Sequence, residues 1–194
     1  MKRIKIIGCM ALLSLAFSGA LMAEELLLDD FSDGNGVSAI GTEWQGFTDR
    51  VMGGRSDMET RLLQEDDTFF LRMQGSVSLE NNGGFIQVRL MLGDGRGRFD
   101  ASEYSGIRIK YRTTPEGSYY LHMRTSQNRF PWAHFAAPLP NSVEWGEVRI
   151  PCSDFEGQLT PFSTPRLDKM TSIAVVAAKE EFIARIDVRE IGLY

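Results

Sequence analysis

The chain has 194 residues, a length typical of one folded domain, and its formal net charge is −5, from 21 lysines and arginines against 26 acidic residues. This acidic balance argues against general nucleic-acid binding, which needs a basic surface. Hydrophobic residues make up 43% of the chain, which is enough for a substantial core.

The first 23 residues have the composition of a secretory signal peptide. A basic start is followed by an apolar run over residues 6–17 and then by small residues, and cleavage after Ala23 or Ala20 fits signal peptidase. The apolar run is shorter than the ~20 residues of a membrane span. We therefore expect a periplasmic or secreted protein whose mature domain, residues 24–194, has no transmembrane span. An uncleaved anchor is the alternative.

Removing this segment changes the charge and the cysteine content. The mature chain has 18 basic and 26 acidic residues, a net charge of −8, which favours solubility. Only Cys152 remains, so no intramolecular disulfide can form and the core alone must stabilise the fold. We expect Cys152 to be a small buried hydrophobic residue rather than a reactive thiol.

Oxygen-bearing side chains cluster after the first apolar run, at Asp29, Asp30, Asp33 and Asn35. Two uses are open for them. They could bind a structural Ca²⁺ through their oxygens, or they could stabilise turns, which is the more common use of Asp-Gly-Asn-Gly. We favour turns and predict no metal site.

Two glycine-rich motifs follow, Trp-Gln-Gly-Phe-Thr-Asp-Arg-Val-Met-Gly-Gly-Arg-Ser at residues 44–56 and Asn-Asn-Gly-Gly-Phe-Ile-Gln-Val-Arg at residues 81–89. Paired glycines allow positive φ angles and close backbone approach, and Asn-Gly is a strong turn signal. The structural interpretation is a pair of tight corners. The alternative is a ligand or partner patch on one rim. The corner role is assigned to Gly53, Gly54, Ser56, Asn82, Gly83, Gly84 and Phe85.

Alternation of apolar and polar residues predicts half-buried antiparallel strands through the chain. In residues 106–112, for example, Ile107, Ile109 and Tyr111 alternate with basic residues. Turn-rich breaks separate these segments, and none has the periodicity of a long amphipathic helix. We predict a single all-β domain, an antiparallel β-sandwich of the jelly-roll type. The predicted strands are residues 26–31, 59–64, 69–75, 85–92, 106–112, 118–125, 132–137, 143–150, 172–178 and 182–193.

Taken together, the two motifs resemble the signature of the complex I intermediate-associated protein family. The matching residues are Trp44, Asp49, Val51, Met52, Gly53, Gly54 and Ser56 in the first motif and Asn81, Asn82, Gly83, Gly84, Phe85, Val88 and Arg89 in the second. The resemblance runs from about Leu28 to the C terminus. It implies a galactose-binding-like jelly roll related to carbohydrate-binding modules. It also implies a role in assembling a protein complex, since mitochondrial members assist assembly of respiratory complex I.

Several middle strands carry basic and aromatic residues on their outward faces. These are Arg89, Lys110, Arg112, Tyr120, His122, Arg124, Trp132 and His134. If the strands are neighbours, these residues form one surface on which rings stack against sugars or cations and guanidinium groups bind carboxylates. The alternative is an ordinary solvated sheet face. The candidate ligand- or partner-binding residues are Trp44, Asp49, Met52, Arg89, Tyr120, His122, Arg124, Trp132 and His134, with Arg89 and Arg124 as the strongest.

The sequence contains no zinc-protease motif, nucleophile elbow or P-loop. Residues 93–98 resemble a nucleotide-binding loop, but they lack the third glycine at the right spacing and are predicted to form a turn. His122 and His134 have no third ligand nearby in the sequence. We therefore predict no catalytic residue and no cofactor.

The sequence favours a non-enzymatic, exported interaction module that resembles assembly factors and binds an envelope protein or protein complex. The alternative is a periplasmic carbohydrate-binding module that uses the basic and aromatic sheet face. Such modules usually accompany a catalytic domain, and none is present in this sequence. An enzyme that uses Asp49, Arg89 and His122 is the least favoured hypothesis.

Overall fold

The computed structural model describes residues 25–93 and 98–194. The predicted signal peptide and most of the predicted turn at residues 93–98 lie outside the described residues. Within the described part, no helix is long and apolar enough to cross a membrane.

Two antiparallel sheets of six strands each build the fold. The first sheet has the order β3–β4–β12–β6–β9, with β1 paired to β12, and the second has the order β10–β8–β7–β11–β5–β2. The strands are β1 (Leu26–Asp29), β2 (Trp44–Thr48), β3 (Asp57–Glu65), β4 (Thr68–Val77), β5 (Phe85–Met91), β6 (Gly106–Thr113), β7 (Tyr119–Thr125), β8 (His134–Leu139), β9 (Gly146–Pro151), β10 (Glu156–Gln158), β11 (Met170–Ala178) and β12 (Phe182–Leu193).

The predicted all-β jelly roll is confirmed. Ten predicted strands correspond to observed strands, whereas β2 and β10 were not predicted. Both are short edge strands that contain a glycine, so they lack the alternation that a strand with one buried face shows.

The core lies between the two sheets and follows the predicted alternation. On β6, Ile107, Ile109 and Tyr111 are fully buried, as are Leu121 and Met123 on β7. The Tyr111 hydroxyl donates a hydrogen bond to the carbonyl of Pro140. These inward side chains direct the alternate residues of the same strands to the outer faces of the sheets, where a ligand can reach them.

Cys152 packs against this core from a partly buried position. Burial raises the pKa of its thiol to about 11. The thiol is therefore protonated at neutral pH, and its nucleophilicity is low. This agrees with the expected packing role.

The acidic segment after β1 forms turns. The Asp33 carboxylate accepts a hydrogen bond from the Asn35 N–H at 3.1 Å, and the Asn35 side-chain oxygen accepts one from the Val37 N–H at 2.6 Å. Asp29 is buried, and its carboxylate accepts from the Trp44 indole N–H at 2.7 Å. These oxygens are used within the chain, and the described residues contain no cluster of three or more metal-ligating side chains.

Candidate functional site

The two glycine-rich motifs meet at the buried carboxylate of Asp49. One oxygen accepts the Ser56 N–H at 2.9 Å, and the other accepts the Gly84 N–H at 2.6 Å and the Ser56 hydroxyl. Burial raises the pKa of Asp49, but these hydrogen bonds outweigh it, so the pKa lies below its usual value. The carboxylate therefore ties the segment after β2 to the turn before β5.

The glycines of both motifs are required by this arrangement. Gly53 has φ 90° and Gly84 has φ 129°, which are left-handed conformations that favour glycine. A Cβ atom on Gly54 or Gly83 would collide with the Asp49 carboxylate. Asp49 was proposed as a partner-binding residue, but it is fully buried and its oxygens are occupied, so we remove it from the candidate site. The pair of glycines in each motif was the sequence feature that indicated a buried side chain between the two motifs.

Trp44 is also removed from the candidate site. It is paired with the core residue Leu90 across the sheet, so its side chain points inward, where it packs at 6.0 Å from the ring of Phe31. Met52, by contrast, is 55% exposed, and its neighbour Val51 is 72% exposed. We call Val51 and Met52 the motif rim.

The outer face of the second sheet brings together most of the other predicted residues. Ala174 on β11 is paired with Arg89 on β5 at one side and with His122 on β7 at the other. On β7, Tyr120 lies two residues before His122 and Arg124 lies two residues after it, and His134 lies on β8. We call this surface the basic face and define it by Phe47, Arg89, Tyr120, His122, Arg124, His134 and Lys179.

The predicted surface was wrong in one respect. Lys110 and Arg112 lie on β6, which belongs to the first sheet. They are therefore on the opposite side of the sandwich from Arg89. Alternation predicted correctly that their side chains point outward, but it carries no information about which sheet a strand joins.

Small residues form the floor of the basic face. Ala174, Val176 and Ala178 on the central strand β11 are buried although they point outward, because Phe85 and Tyr120 pack over them. Long side chains on the flanking strands β5 and β7 stand above this floor. The result is a shallow trough that runs along β11.

Two histidines stack in the trough. The rings of His122 and His134 lie 3.9 Å apart with an angle of 21° between their planes. Burial, followed by the charges of His134, Lys179 and Arg89, holds the pKa of His122 well below its usual value. Its Nε2 atom is buried and has no hydrogen-bond partner among the described residues. Unsatisfied buried polar atoms of this kind are rare, and a bound group is one explanation for them.

Cations lie over the two aromatic rings of the face. The Arg89 guanidinium lies 4.8 Å from the centre of the Phe47 ring, and Lys179 Nζ lies 4.3 Å from that of Tyr120. Burial and then the charge of Arg124 lower the pKa of Arg89, because both disfavour its cation. The sequence analysis missed Phe47, because β2 was not predicted, and Lys179, which directly follows β11.

Carboxylates are scarce on this surface. Within the described part of the chain, Arg89, Arg124 and Lys179 form no salt bridge, although twelve salt bridges occur elsewhere. Glu156, on the edge strand β10, is the single acidic residue at the outward positions of the six strands. The basic face is therefore a concentrated positive surface on an acidic protein, and it is suited to an anionic ligand.

Arg124 also organises the loop between β7 and β8. Its guanidinium donates hydrogen bonds to the carbonyls of Asn128, Phe130 and Pro131 at 2.8–3.0 Å. In this loop, Trp132 is 50% exposed and stacks on Phe130, with their ring centres 5.2 Å apart. We call Phe130 and Trp132 the aromatic rim. Trp132 therefore borders the basic face rather than lying on the sheet.

The fold and this surface define the class: a jelly-roll β-sandwich with a charged trough on one sheet. The model of the family described as complex I intermediate-associated protein 30 (CIA30) matches residues 30–178. The chain belongs to this family, as the two motifs indicated. No curated protein matches the chain.

Several solved carbohydrate-binding modules share the fold. The family 11 module of the cellulosomal cellulase Lic26A-Cel5E of Clostridium thermocellum superimposes with a TM-score of 0.69 at 20% identity, covering 89% of this chain and 95% of that one. A family 11 module from Clostridium thermocellum in complex with a β-1,3-1,4-mixed-linked tetrasaccharide gives 0.65 at 18% identity, covering 87% and 94%. The family 30 module of the cellulase Cel9D-Cel44B of Clostridium thermocellum gives 0.58 at 11% identity, covering 88% and 97%. At these identities the likeness establishes the fold alone.

Proposed function

We propose that this protein is a non-catalytic binding module that holds a partner protein on its basic face, in the manner of an assembly factor. The observation that carries the proposal is that the basic face holds two half-buried arginines, Arg89 and Arg124, and the exposed Lys179, none of which has a carboxylate partner among the described residues. The cation of Arg89 is partly desolvated and repelled by Arg124, so it costs stability unless a ligand compensates it. In natural proteins, arrangements that break the local rules of packing and charge are expected at functional or strained sites.

Two further observations support an assembly role outside the cytoplasm. The family is named for association with intermediates of complex I, which are protein assemblies. The N-terminal 23 residues have the composition of a secretory signal. The proposed partner is therefore a protein or protein complex of the cell envelope.

Site-specific photo-crosslinking tests this proposal. A photoreactive phenylalanine analogue replaces Tyr120 on the basic face in one variant and Arg61 on β3 in a control variant. Arg61 is exposed on the first sheet and pairs with Glu59, so its replacement leaves the second sheet untouched. We expect a reproducible crosslink from position 120 in native cells, lost when Arg89→Gln is added.

Equal crosslinks from positions 120 and 61, or a crosslink at 120 that persists in the Arg89→Gln background, would show that the basic face does not select the partner. Both variants must also keep the wild-type melting temperature, because a misfolded domain exposes apolar surface and captures proteins without specificity.

Carbohydrate binding is the second candidate function. The shared fold of the carbohydrate-binding modules and the exposed Trp132 ring favour it, because an open aromatic ring can stack on a sugar. A glycan array on the purified protein and on Trp132→Ala tests it. A defined glycan that binds the wild type and not the variant supports this candidate. An array without any hit contradicts it.

A further inference from the structure

The basic face lies between two exposed apolar rims. The motif rim follows Asp49, which is hydrogen-bonded to the start of β5. The aromatic rim follows β7 at the opposite end of the sheet, because β5 and β7 both run antiparallel to β11. Seven residues of β5 separate the two ends, which corresponds to roughly 20 Å of extended chain.

Positive charge recurs along this length at successive outward positions of the sheet. Lys179 lies over Tyr120, Arg89 is paired with Ala174, and Arg124 lies opposite Ser172, two residues from Ala174. Adjacent outward positions on a strand are about 7 Å apart. An extended peptide presents every second side chain on one face with the same spacing.

We propose that the ligand of the basic face is an extended acidic segment of the partner protein, about seven residues long. This inference rests on the proposed function and names the feature that the face recognises. Carboxylates of alternate residues lie opposite Lys179, Arg89 and Arg124. Apolar residues at the two ends of the segment contact the motif rim and the aromatic rim.

The surface next to the aromatic rim contains a place for one of these apolar residues. A pocket of about 430 Å³ is lined by Phe130, Leu159 and Phe162, together with smaller and polar residues that include Arg129 and Arg166. Leu159 is 72% exposed, so its side chain is accessible to a ligand in this pocket. A side chain of the partner that fills this pocket would act as an anchor of the interface.

The same geometry disfavours a neutral sugar on the sheet itself. A sugar ring stacks on an open aromatic face, whereas Lys179 lies over Tyr120 and Arg89 lies over Phe47. The cations must leave before a neutral sugar can approach these rings. An anionic group instead approaches the cations where they are, and no rearrangement of the face is needed.

Titration with synthetic ligands tests the proposal on the full-length protein. The probe is a fluorescent peptide of consecutive glutamates between two leucines, about seven residues long. The matched control peptide has glutamine in place of glutamate. An acidic oligogalacturonate and a neutral mixed-linked β-glucan oligosaccharide complete the set. The variants are Arg89→Gln on the basic face and Arg61→Gln on the first sheet.

We expect the glutamate peptide to bind with an affinity at least about tenfold higher than that of the glutamine peptide. Arg89→Gln should lower the affinity by about tenfold, whereas Arg61→Gln should leave it unchanged. Raising the ionic strength should weaken binding of the glutamate peptide, because salt screens partly exposed charges.

Three outcomes overturn the proposal. Binding of the glutamate peptide that is unaffected by Arg89→Gln places its site elsewhere. Binding of the oligogalacturonate or the β-glucan without the peptide shows that the face takes a carbohydrate. Absence of binding by every probe removes the acidic segment as the ligand. In this last case, the crosslink from position 120 still decides separately whether the basic face holds a protein.

Discussion

The outer faces of both sheets carry arginines. Those of the first sheet pair with carboxylates, whereas those of the second sheet do not, within the described part of the chain. On the first sheet, the fully buried carboxylate of Asp187 accepts hydrogen bonds from Arg72 at 2.6 Å and from Arg112 at 2.8 Å. Glu65 pairs with Arg112 and Arg189. On the second sheet, the corresponding arginines have no carboxylate partner among the described residues.

Aromatic contacts do not distinguish the two faces. Arg112 and Arg189 lie 4.4 Å and 4.1 Å from the centre of the Trp145 ring, much as Arg89 lies over Phe47. A cation above a ring is therefore an ordinary packing arrangement in this protein. The informative difference is the lack of carboxylate partners among the described residues of the second sheet. Cations that no carboxylate of the chain neutralises are available to an external anionic ligand.

Removing the central carboxylate of the paired face should have the largest effect on stability. Asp187→Asn leaves Arg72 and Arg112 without a counter-charge in a partly buried site, so we expect a loss of about 3 kcal/mol in the free energy of unfolding. Chemical denaturation measures this change. Glu59→Gln is the control, because its pair with Arg61 is exposed and should contribute little. Similar losses of unfolding free energy in both variants would mean that burial does not change the contribution of an ion pair to stability.

Arg124 should show an intermediate effect, because it belongs to the basic face and also anchors a loop. Arg124→Gln removes hydrogen bonds to three carbonyls, and we expect a loss of about 2 kcal/mol in the free energy of unfolding. Arg124→Lys keeps the charge but not the planar fork, so it should lose most of this stability and still bind the glutamate peptide. A lysine variant with full stability would show that charge alone supports the loop.

Comparison of β6 and β7 shows what the sequence could predict. The outward residues of both strands were predicted from the sequence, because burial of one face leaves a period-two pattern within each strand. Arg112 and Arg124 were both predicted to point outward and were placed on one surface. They differ because these consecutive strands enter different sheets, and strand order depends on contacts between residues far apart in the chain.

Prediction of the candidate site from the sequence was limited in the same way. Arg89 and His122 were named from their outward positions, but the absence of nearby carboxylates was visible only after the strands were placed. Asp49 was misassigned because its sequence motif resembles an exposed turn. Its burial depends on the backbone N–H group of Gly84, which lies 35 positions later in the chain.

Acidification should weaken the domain through the stacked histidines. Burial and neighbouring positive charge lower the pKa of both His122 and His134 in the folded state. The unfolded chain, with histidine pKa values near 6.5, therefore binds more protons than the folded chain below about pH 7. The free energy of unfolding should accordingly fall as the pH falls from about 7 towards the lowered folded pKa values.

Denaturation between pH 7 and pH 5 measures this slope, and the double variant His122→Gln, His134→Gln should reduce it. Buried carboxylates such as Asp187 and Asp49 lose their stabilising effect only at lower pH, because their folded pKa values lie below the usual range. An identical slope in the double variant would mean that the histidines are solvated and that the trough is more open than the geometry indicates.

The smallest change in stability is expected at the residue that matters most for binding. Arg89→Gln removes a half-buried cation that repels Arg124 and has no carboxylate partner among the described residues, so the free energy of unfolding should stay constant or rise. Arg112→Gln, the matched change on the paired face, should lower it, because Asp187 and Glu65 each lose a partner. Parallel denaturation curves measure both variants. A destabilising Arg89→Gln would mean that the chain itself compensates this arginine, and the case for an external anion on the basic face would then be lost.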